Sequence, residues 1–154
     1  MVVYSGGLDS TVLLHKLAAQ SRVAGAIGFL YGQRHSKELE FAKENCRKLN
    51  IDFYLADISA LAPMFGNNSL TDRDVEVPEG KYYESNMKST VVPNRNMIML
   101  SLAAARAIAV GAQAVAYAAH SGDHAIYPDC RPEFTEAMER ALALCHYYPI
   151  GLER

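Results

Sequence analysis

Four apolar residues, a glycine-rich turn and an amphipathic segment follow one another without a spacer at the start of this 154-residue chain. Residues 1–4 favour a β-strand, and the residues after Ser10 repeat apolar side chains at helical spacing. The turn between them, Ser5-Gly6-Gly7-Leu8-Asp9-Ser10, therefore leads from a strand directly into the N-terminus of a helix. Backbone N–H groups at such a junction bind anions, which predicts a phosphate-binding turn in an α/β domain.

The residues of this turn distinguish it from two common phosphate-binding motifs. A Walker A motif requires a lysine before its Ser or Thr, but Asp9 holds that position, and the G-x-G-x-x-G pattern of dinucleotide-binding folds is absent. A carboxylate beside phosphates is compatible with a Mg²⁺ ion that accompanies them. Gly6 and Gly7 can both adopt positive φ, and Asp9 or Ser10 is the expected N-cap of the helix.

Composition limits the class of protein and its partners. Half of the residues are hydrophobic, 21% are charged and the net charge is −2, so the chain has no general attraction to nucleic acid or to an anionic membrane. Three widely separated cysteines form no C-x-x-C pair, no secretory leader opens the chain, and the longest apolar run, 97–111, is too short to span a bilayer. We therefore expect one cytoplasmic domain.

Hydrophobic periodicity predicts alternating strands and helices. Their order favours a parallel sheet with right-handed crossovers and helices on both faces, a three-layer α/β fold. The helix at 96–110 is almost entirely apolar, so we expect it to be buried against the sheet or at a dimer interface. We expect Asn50 and Gly111 to end the second and third helices. The predicted strands are 1–4, 23–30, 53–58 and 114–119; the predicted helices start near 11 and span 36–49, 96–110 and 132–145, with a helical turn at 59–65 and a long polar loop at 66–89.

Three further polar motifs stand beside or after these elements. Ligands of parallel α/β sheets bind beyond the carboxyl ends of the strands, so motifs at strand ends are candidate site residues. Tyr31-Gly32-Gln33-Arg34-His35 follows the second strand and offers groups that stack on and hydrogen-bond a flat heterocycle, although a solvated turn would look the same. Val92-Pro93-Asn94-Arg95-Asn96 leads into the apolar helix, where Arg95 suits a phosphate or carboxylate and Asn96 suits a helix cap.

The third motif, Tyr127-Pro128-Asp129-Cys130-Arg131, ends the loop after the fourth strand. Asp129 can accept hydrogen bonds from a base edge. Cys130 is either a nucleophile activated beside Arg131 or, as is commoner for a single cysteine, a small apolar filler. A zinc site at His120, Asp123 and His124 is a weaker alternative, because no fourth ligand is evident.

The four motifs, together and in this order, resemble the 7-cyano-7-deazaguanine synthase family over residues 1–145. The first motif alone resembles the pyrophosphate loop of the N-type ATP pyrophosphatases, whose fold is adenine nucleotide alpha hydrolase-like. The resemblance implies that ATP adenylates the carboxylate of 7-carboxy-7-deazaguanine, that ammonia displaces AMP to give an amide, and that a second adenylation gives the nitrile. These steps belong to queuosine biosynthesis. We also expect a homodimer, for which the apolar helix at 97–110 is the candidate interface.

The resemblance also implies roles for residues of this chain. Asp9 is the candidate partner of Mg²⁺. The implied ATP-binding residues are Ser5, Gly6, Gly7, Leu8, Asp9, Ser10 and Thr11, and the implied substrate-binding residues are Tyr31, Gln33, Arg34, His35, Arg95, Asn96, Tyr127, Asp129 and Arg131.

Two departures from the family pattern bear on these expectations. Asn94 stands where the family has glycine, a mild change if that position is left-handed. The family's C-terminal segment binds Zn²⁺ through four cysteines, and those ligands are absent here, so residues 146–154 are expected to be a divergent tail. Two other interpretations stay open: a related adenylating ligase that stops at the amide, and an inactive remnant that only binds nucleotide.

Overall fold

The computed structural model describes residues 1–33, 37–65, 92–119 and 127–154. Several predictions from the sequence lie outside these ranges: the polar loop at 66–89, the substrate-binding candidates Arg34 and His35, and the alternative zinc ligands His120, Asp123 and His124.

Five parallel strands form a single sheet in the order β3-β2-β1-β4-β5. The apolar composition of the central strands suits a sheet that is covered on both faces. The predicted parallel α/β sheet is confirmed, and the structure adds a fifth strand at the edge. The strands are β1 (Val2–Val3), β2 (Ala26–Leu30), β3 (Phe53–Asp57), β4 (Ala114–Ala116) and β5 (Gly151–Glu153).

Within the described ranges, four α-helices cover the two faces of the sheet: α1 (Leu8–Ala19), α2 (Lys37–Lys48), α3 (Arg95–Ala109) and α4 (Pro132–Leu144). Side chains of α1 and α2 share one buried cluster with the sheet, and side chains of α3 and α4 share the other. The predicted three-layer arrangement with helices on both faces is therefore confirmed. No helix within the described ranges is both long enough and apolar enough to cross a membrane.

The apolar helix α3 packs against the sheet, which is the first of its two expected positions. Leu100 and Ala103 are 1% and 0% exposed and lie in one cluster with Ile27 and Val115 of the sheet. The described residues also form two short 3-10 helices, Ser59–Phe65 and Pro128–Cys130. The first of them lies where the helical turn was predicted.

The starts of two helices differ from prediction. Helix α1 begins one residue after Gly7, so Gly7 is its N-cap and the expectation of Asp9 or Ser10 was wrong. Ser10 lies in the first turn, where its hydroxyl donates back to the Gly7 carbonyl instead of capping a free N–H. Helix α3 has Asn94 as its N-cap, in a left-handed conformation with φ of 59°, so the expectation that Asn96 is the cap was also wrong.

The ends of two helices agree with prediction. The chain takes φ of 54° at Asn50 and 71° at Gly111, just after α2 and α3. At Gly111 the N–H donates to the Ile108 carbonyl and the next N–H donates to the Ala107 carbonyl, the hydrogen-bond pattern of a Schellman motif. These two residues therefore turn the chain from each helix toward the following strand.

The last nine residues contain strand β5, which was not predicted from the sequence. Its residues pair in parallel with β4, with Leu152 opposite Val115. Ile150 and Leu152 are 2% and 8% exposed. The domain boundary predicted at residue 145 stays a prediction. In the structure, strand β5 follows that residue and pairs with β4 in the same sheet.

Candidate functional site

A cavity of about 300 Å³ opens at the carboxyl ends of β1, β2 and β4, next to the N-terminus of α3. This is the sheet edge where the sequence motifs were expected to meet. The residues that line it are Val3, Tyr4, Ser5, Ser10, Phe29, Tyr31, Gln33, Glu38, Leu39, Arg95, Asn96, Met99, Tyr117 and Ala118.

The cavity brings together six of the predicted site residues, Ser5, Ser10, Tyr31, Gln33, Arg95 and Asn96. The other described candidates lie outside its lining: Gly6, Gly7, Leu8, Asp9, Thr11, Tyr127, Asp129 and Arg131. Leu8 is 80% exposed, and Asp9 is exposed beside it on the first turn of α1. An exposed carboxylate on this turn lies at the positive end of the helix, where the helix dipole favours it.

The two glycines of the turn have different surroundings. Gly6 has φ of 88°, and a Cβ there would collide with the backbone carbonyl of Glu38 at the start of α2. A Cβ at Gly7 would meet only the Ser5 Oγ atom, at 3.4 Å, and Gly7 has φ of −74°. Of the two glycines that can adopt positive φ, only Gly6 does so here. The protein itself does not exclude a side chain at Gly7, so the bare backbone there is available for close approach of a ligand.

Hydrogen bonds within the turn fix its backbone. The Ser5 Oγ accepts from the Gly7 N–H at 3.2 Å and lies 3.1 Å from the Ser10 Oγ. The Gly7 carbonyl accepts from the Ser10 hydroxyl at 3.0 Å, the Thr11 hydroxyl at 2.8 Å and the Thr11 N–H at 3.0 Å. The first N–H groups of α1 have no carbonyl one turn earlier in the helix. They face the end of the helix, which suits an anion.

An aromatic ring and a guanidinium group form one side of the cavity. The Arg95 Cζ lies 5.9 Å from the centroid of the Tyr31 ring, within cation–π range. The Gln33 side chain bonds its own strand end: its Oε1 accepts from the Tyr31 N–H at 2.8 Å, and its Nε2 donates to the Phe29 carbonyl at 2.9 Å. Gln33 therefore shapes the segment after β2, and Arg95 and Tyr31 provide the charge and the flat surface.

Asp129 lies against the N-terminus of α3. Its Oδ2 accepts from the Asn96 N–H at 3.3 Å, and the Asn96 Nδ2 donates to the Asp129 carbonyl at 3.3 Å. The same Nδ2 lies 3.6 Å from the Cys130 Sγ, and Cys130 is 7% exposed. The Asp129 carboxylate thus accepts a hydrogen bond from a helix N–H that lies 33 positions away in the sequence. The burial of Cys130 agrees with the interpretation of this cysteine as a small apolar residue that fills space.

Tyr117 is a lining residue that the sequence motifs did not include. Its hydroxyl lies 2.8 Å from the Thr135 Oγ1, and burial raises the pKa of the phenol above its usual value. It stands in the apolar stretch that begins with β4, so no polar pattern marked it. Only its place at the carboxyl end of a central strand could have identified it.

The described residues contain no group of three or more His, Cys, Asp or Glu side chains placed to hold a metal ion. Cys46 does not suit a metal ligand, because it is fully buried among apolar side chains and burial raises the pKa of its thiol to about 11, which opposes the thiolate form.

Comparison with known proteins identifies the family. A family model described as "Queuosine biosynthesis protein QueC" matches residues 1–153. The chain is 54% identical over 150 residues to the 7-cyano-7-deazaguanine synthase of Hahella chejuensis, covering 97% of this chain and 64% of that protein. It is 56% identical over 153 residues to the synthase of Caldicellulosiruptor bescii, covering 99% of this chain and 68% of that protein.

Among solved structures, a glutamine-dependent NAD⁺ synthetase from Acinetobacter baumannii matches with a TM-score of 0.45 and 18% identity, over 96% of this chain and 30% of that one. The chain spans about two thirds of the length of the curated relatives that it matches, 64% and 68% for the two synthases above. The family match nevertheless runs through all five strands and the four motifs of the site. The chain therefore belongs to the QueC family of queuosine biosynthesis proteins.

Proposed function

We propose that this chain uses ATP to convert 7-carboxy-7-deazaguanine and ammonia into 7-cyano-7-deazaguanine. The observation that carries the proposal is the cavity that joins the Ser5–Ser10 turn to Tyr31 and Arg95, in a chain more than half identical to proteins named as this synthase. An anion-binding turn beside an aromatic and cationic wall suits a triphosphate next to a flat, carboxylated heterocycle.

The first half of the reaction activates the carboxylate. Its oxygen attacks the α-phosphorus of ATP, an acyl adenylate forms, and pyrophosphate leaves. The N–H groups at the start of α1 support the charge on the departing phosphates. Ammonia then adds to the acyl carbon, and AMP leaves to give the amide. The second half repeats the activation: the amide oxygen attacks the α-phosphorus of another ATP and displaces pyrophosphate. Loss of AMP and two protons from this adenylated amide then gives the nitrile.

The proposal assigns roles to residues of this chain. Asp9 would hold Mg²⁺, which supplies charge neutralisation for the phosphates. Arg95 would orient a carboxylate or phosphate, and Tyr31 would stack on the deazaguanine. The other proposed ligands of the deazaguanine and its carboxylate are Gln33, Arg34, His35, Asn96, Tyr127, Asp129 and Arg131.

A cytoplasmic homodimer is part of the same proposal. The outer side of α3 supports the dimer, because two of its apolar side chains, Met97 and Leu102, are 46% and 38% exposed. A partner subunit would cover such exposed apolar side chains. Sedimentation velocity at micromolar protein tests the dimer, and a single monomeric species would contradict it.

The activity is tested by incubating the chain with ATP, Mg²⁺, ammonia and 7-carboxy-7-deazaguanine, with mass spectrometry of the products. We expect AMP, pyrophosphate and the nitrile. AMP with the amide as end product favours an amide-forming relative, and nucleotide binding without turnover favours a binding remnant. Asp9→Ala is expected to abolish AMP formation and to leave the circular dichroism spectrum unchanged.

A further inference from the structure

A row of hydrogen-bonded side chains lies beneath the anion-binding turn and connects it to α2. Tyr4, at the end of β1, is 1% exposed. Its hydroxyl lies 3.2 Å from the Thr11 Oγ1 and 2.9 Å from the Asn45 Nδ2. The Thr11 hydroxyl in turn lies 2.8 Å from the Gly7 carbonyl oxygen. The row therefore runs from Asn45 through two hydroxyls to the backbone of the turn.

The chemistry of its two ends sets the direction of the row. The Asn45 Nδ2 can only donate, and the Gly7 carbonyl can only accept. The two hydroxyls between them must each accept from the Asn45 side and donate toward the Gly7 side. Tyr4 thus donates to Thr11, and Thr11 donates to Gly7. A hydrogen bond that a hydroxyl accepts strengthens the one it donates, so the row acts as a unit.

The orientation of one peptide group follows from this direction. The Gly7 carbonyl is held inward by the Thr11 hydroxyl, the Ser10 hydroxyl and the Thr11 N–H. The peptide that follows Gly7 is trans, so the Leu8 N–H points the opposite way, out of the turn. An inward carbonyl and an outward N–H are what an anion requires, because a carbonyl turned outward would repel it.

We propose that Tyr4 and Asn45 are positioning residues for the anion-binding turn: they act through Thr11 to hold the Gly7 carbonyl inward and the Leu8 N–H toward the phosphates. This inference rests on the proposed function, because it presumes that the turn binds ATP. It also assigns the Thr11 hydroxyl to the protein side of the turn, where it holds the backbone and does not contact the nucleotide.

Helix α2 contacts the turn directly and also through the hydrogen-bonded row. Gly6 lies against the Glu38 carbonyl, and a Cβ at Gly6 would come within 3.4 Å of the Ala42 Cβ. Asn45 reaches the turn from the same helix, about two turns beyond Glu38. Direct backbone contact and the hydrogen-bonded row therefore both fix the turn against α2. Outside the row, the Asn45 Nδ2 also lies 3.2 Å from the His15 Nε2 of α1.

Isothermal titration of ATP into the full chain tests this proposal with Tyr4→Phe, Asn45→Ala and the double variant. Phenylalanine keeps the buried ring and removes only the hydroxyl, so the fold is expected to persist. Each single variant is expected to raise the Kd for ATP about five- to tenfold, the effect of losing about one hydrogen bond. Because the two residues act through one row, the double variant is expected to have the same Kd for ATP as the single variant that binds ATP less tightly.

Tyr54→Phe is the matched control, since Tyr54 lies on β3 against the Arg106 guanidinium and away from the turn. It is expected to leave the Kd for ATP unchanged. If Tyr4→Phe lowers the free energy of unfolding but binds ATP as tightly as the unchanged chain, the residue has a structural role only and the inference fails. Additive losses in the double variant also contradict a single row. Absence of ATP binding by the unchanged chain instead overturns the proposed function, and this inference with it.

Discussion

Gly6 and Gly7 stand side by side in the Ser5–Ser10 turn, yet the fold requires glycine at only one of these positions. A Cβ at Gly6 would collide with the Glu38 carbonyl, and its φ of 88° is unfavourable for any other residue. A Cβ at Gly7 would meet only the Ser5 Oγ, at ordinary contact distance. If ATP approaches the backbone at Gly7, the two positions are glycine for different physical reasons.

Alanine at each position separates these reasons. Gly6→Ala is expected to lower the free energy of unfolding by more than about 3 kcal/mol, from strain and the backbone collision. Gly7→Ala is expected to change it by no more than about 1 kcal/mol, yet to raise the Kd for ATP at least about tenfold. Urea denaturation and ATP titration measure the two effects. Tight ATP binding by a folded Gly7→Ala variant would contradict close approach of the phosphates at this position.

At the scale of the element, Asp129 stabilises the start of α3. Its carboxylate accepts from the Asn96 N–H, and Asn94, the residue at the cap position, makes no side-chain cap of its own. Asp129→Ala is therefore expected to lower the free energy of unfolding by about 1 kcal/mol, as for loss of a helix cap. Asp129→Asn, which keeps an acceptor oxygen, is expected to retain most of that stability in thermal denaturation. Equal loss in both variants would assign the effect to charge at the helix end.

The pH dependence of helix α2 comes from an exposed ion pair. Glu44 accepts two hydrogen bonds from Arg47, at 2.8 and 2.9 Å, and lies 3.8 Å from the Lys48 Nζ. The hydrogen bond with Arg47 is the main cause that lowers the pKa of Glu44 from 4.5 to about 2. A lowered carboxyl pKa adds stability above the unfolded-state value of 4.5, and that stability is lost as the pH falls toward 2.

Glu44→Gln is accordingly expected to be less stable than the unchanged chain at pH 7, with a difference that disappears by about pH 2. The difference is small and decreases with salt, because the pair is exposed. Glu40→Gln on the same helix is the control, as Glu40 has no ion pair within the described part of the chain. Denaturation midpoints across pH measure both variants, and equal pH profiles for the two would rule out the Arg47 contact as the cause.

The same elements show where sequence reasoning stops. The helix ends at Asn50 and Gly111 follow from local conformational preference, and the sequence predicted both. The cap of α3 did not follow, because its acceptor comes from Asp129, 33 positions away. The meeting of the first two motifs at one sheet edge was predictable, because each of them follows a strand of a parallel sheet. Which side chains line the cavity was not predictable, since the candidate Asp9 lies outside the lining and Tyr117, which carries no polar pattern, lies within it.

At the scale of the whole molecule, the sheet ends at a strand that has almost no sequence signature. Strand β5 has three residues, too few for an alternating pattern to be recognised, and its stability comes from pairing with β4. It covers one edge of β4, whose carboxyl end contributes Tyr117 to the cavity. Removing β5 would expose β4 as an unpaired edge next to the site.

Leu152→Ala tests whether this strand is part of the folded core. Leu152 is 8% exposed and lies opposite Val115, so its truncation is expected to lower the free energy of unfolding by about 2–4 kcal/mol. Tyr147→Ala is the matched control, because Tyr147 is 97% exposed in the preceding segment, and its loss is expected to change stability by less than about 0.5 kcal/mol. Urea denaturation of both variants measures the difference. If Leu152→Ala is as stable as Tyr147→Ala, the segment after residue 145 does not pack on β4 in solution. A large loss confined to Leu152→Ala assigns strand β5 to the same cooperative unit as the rest of the sheet.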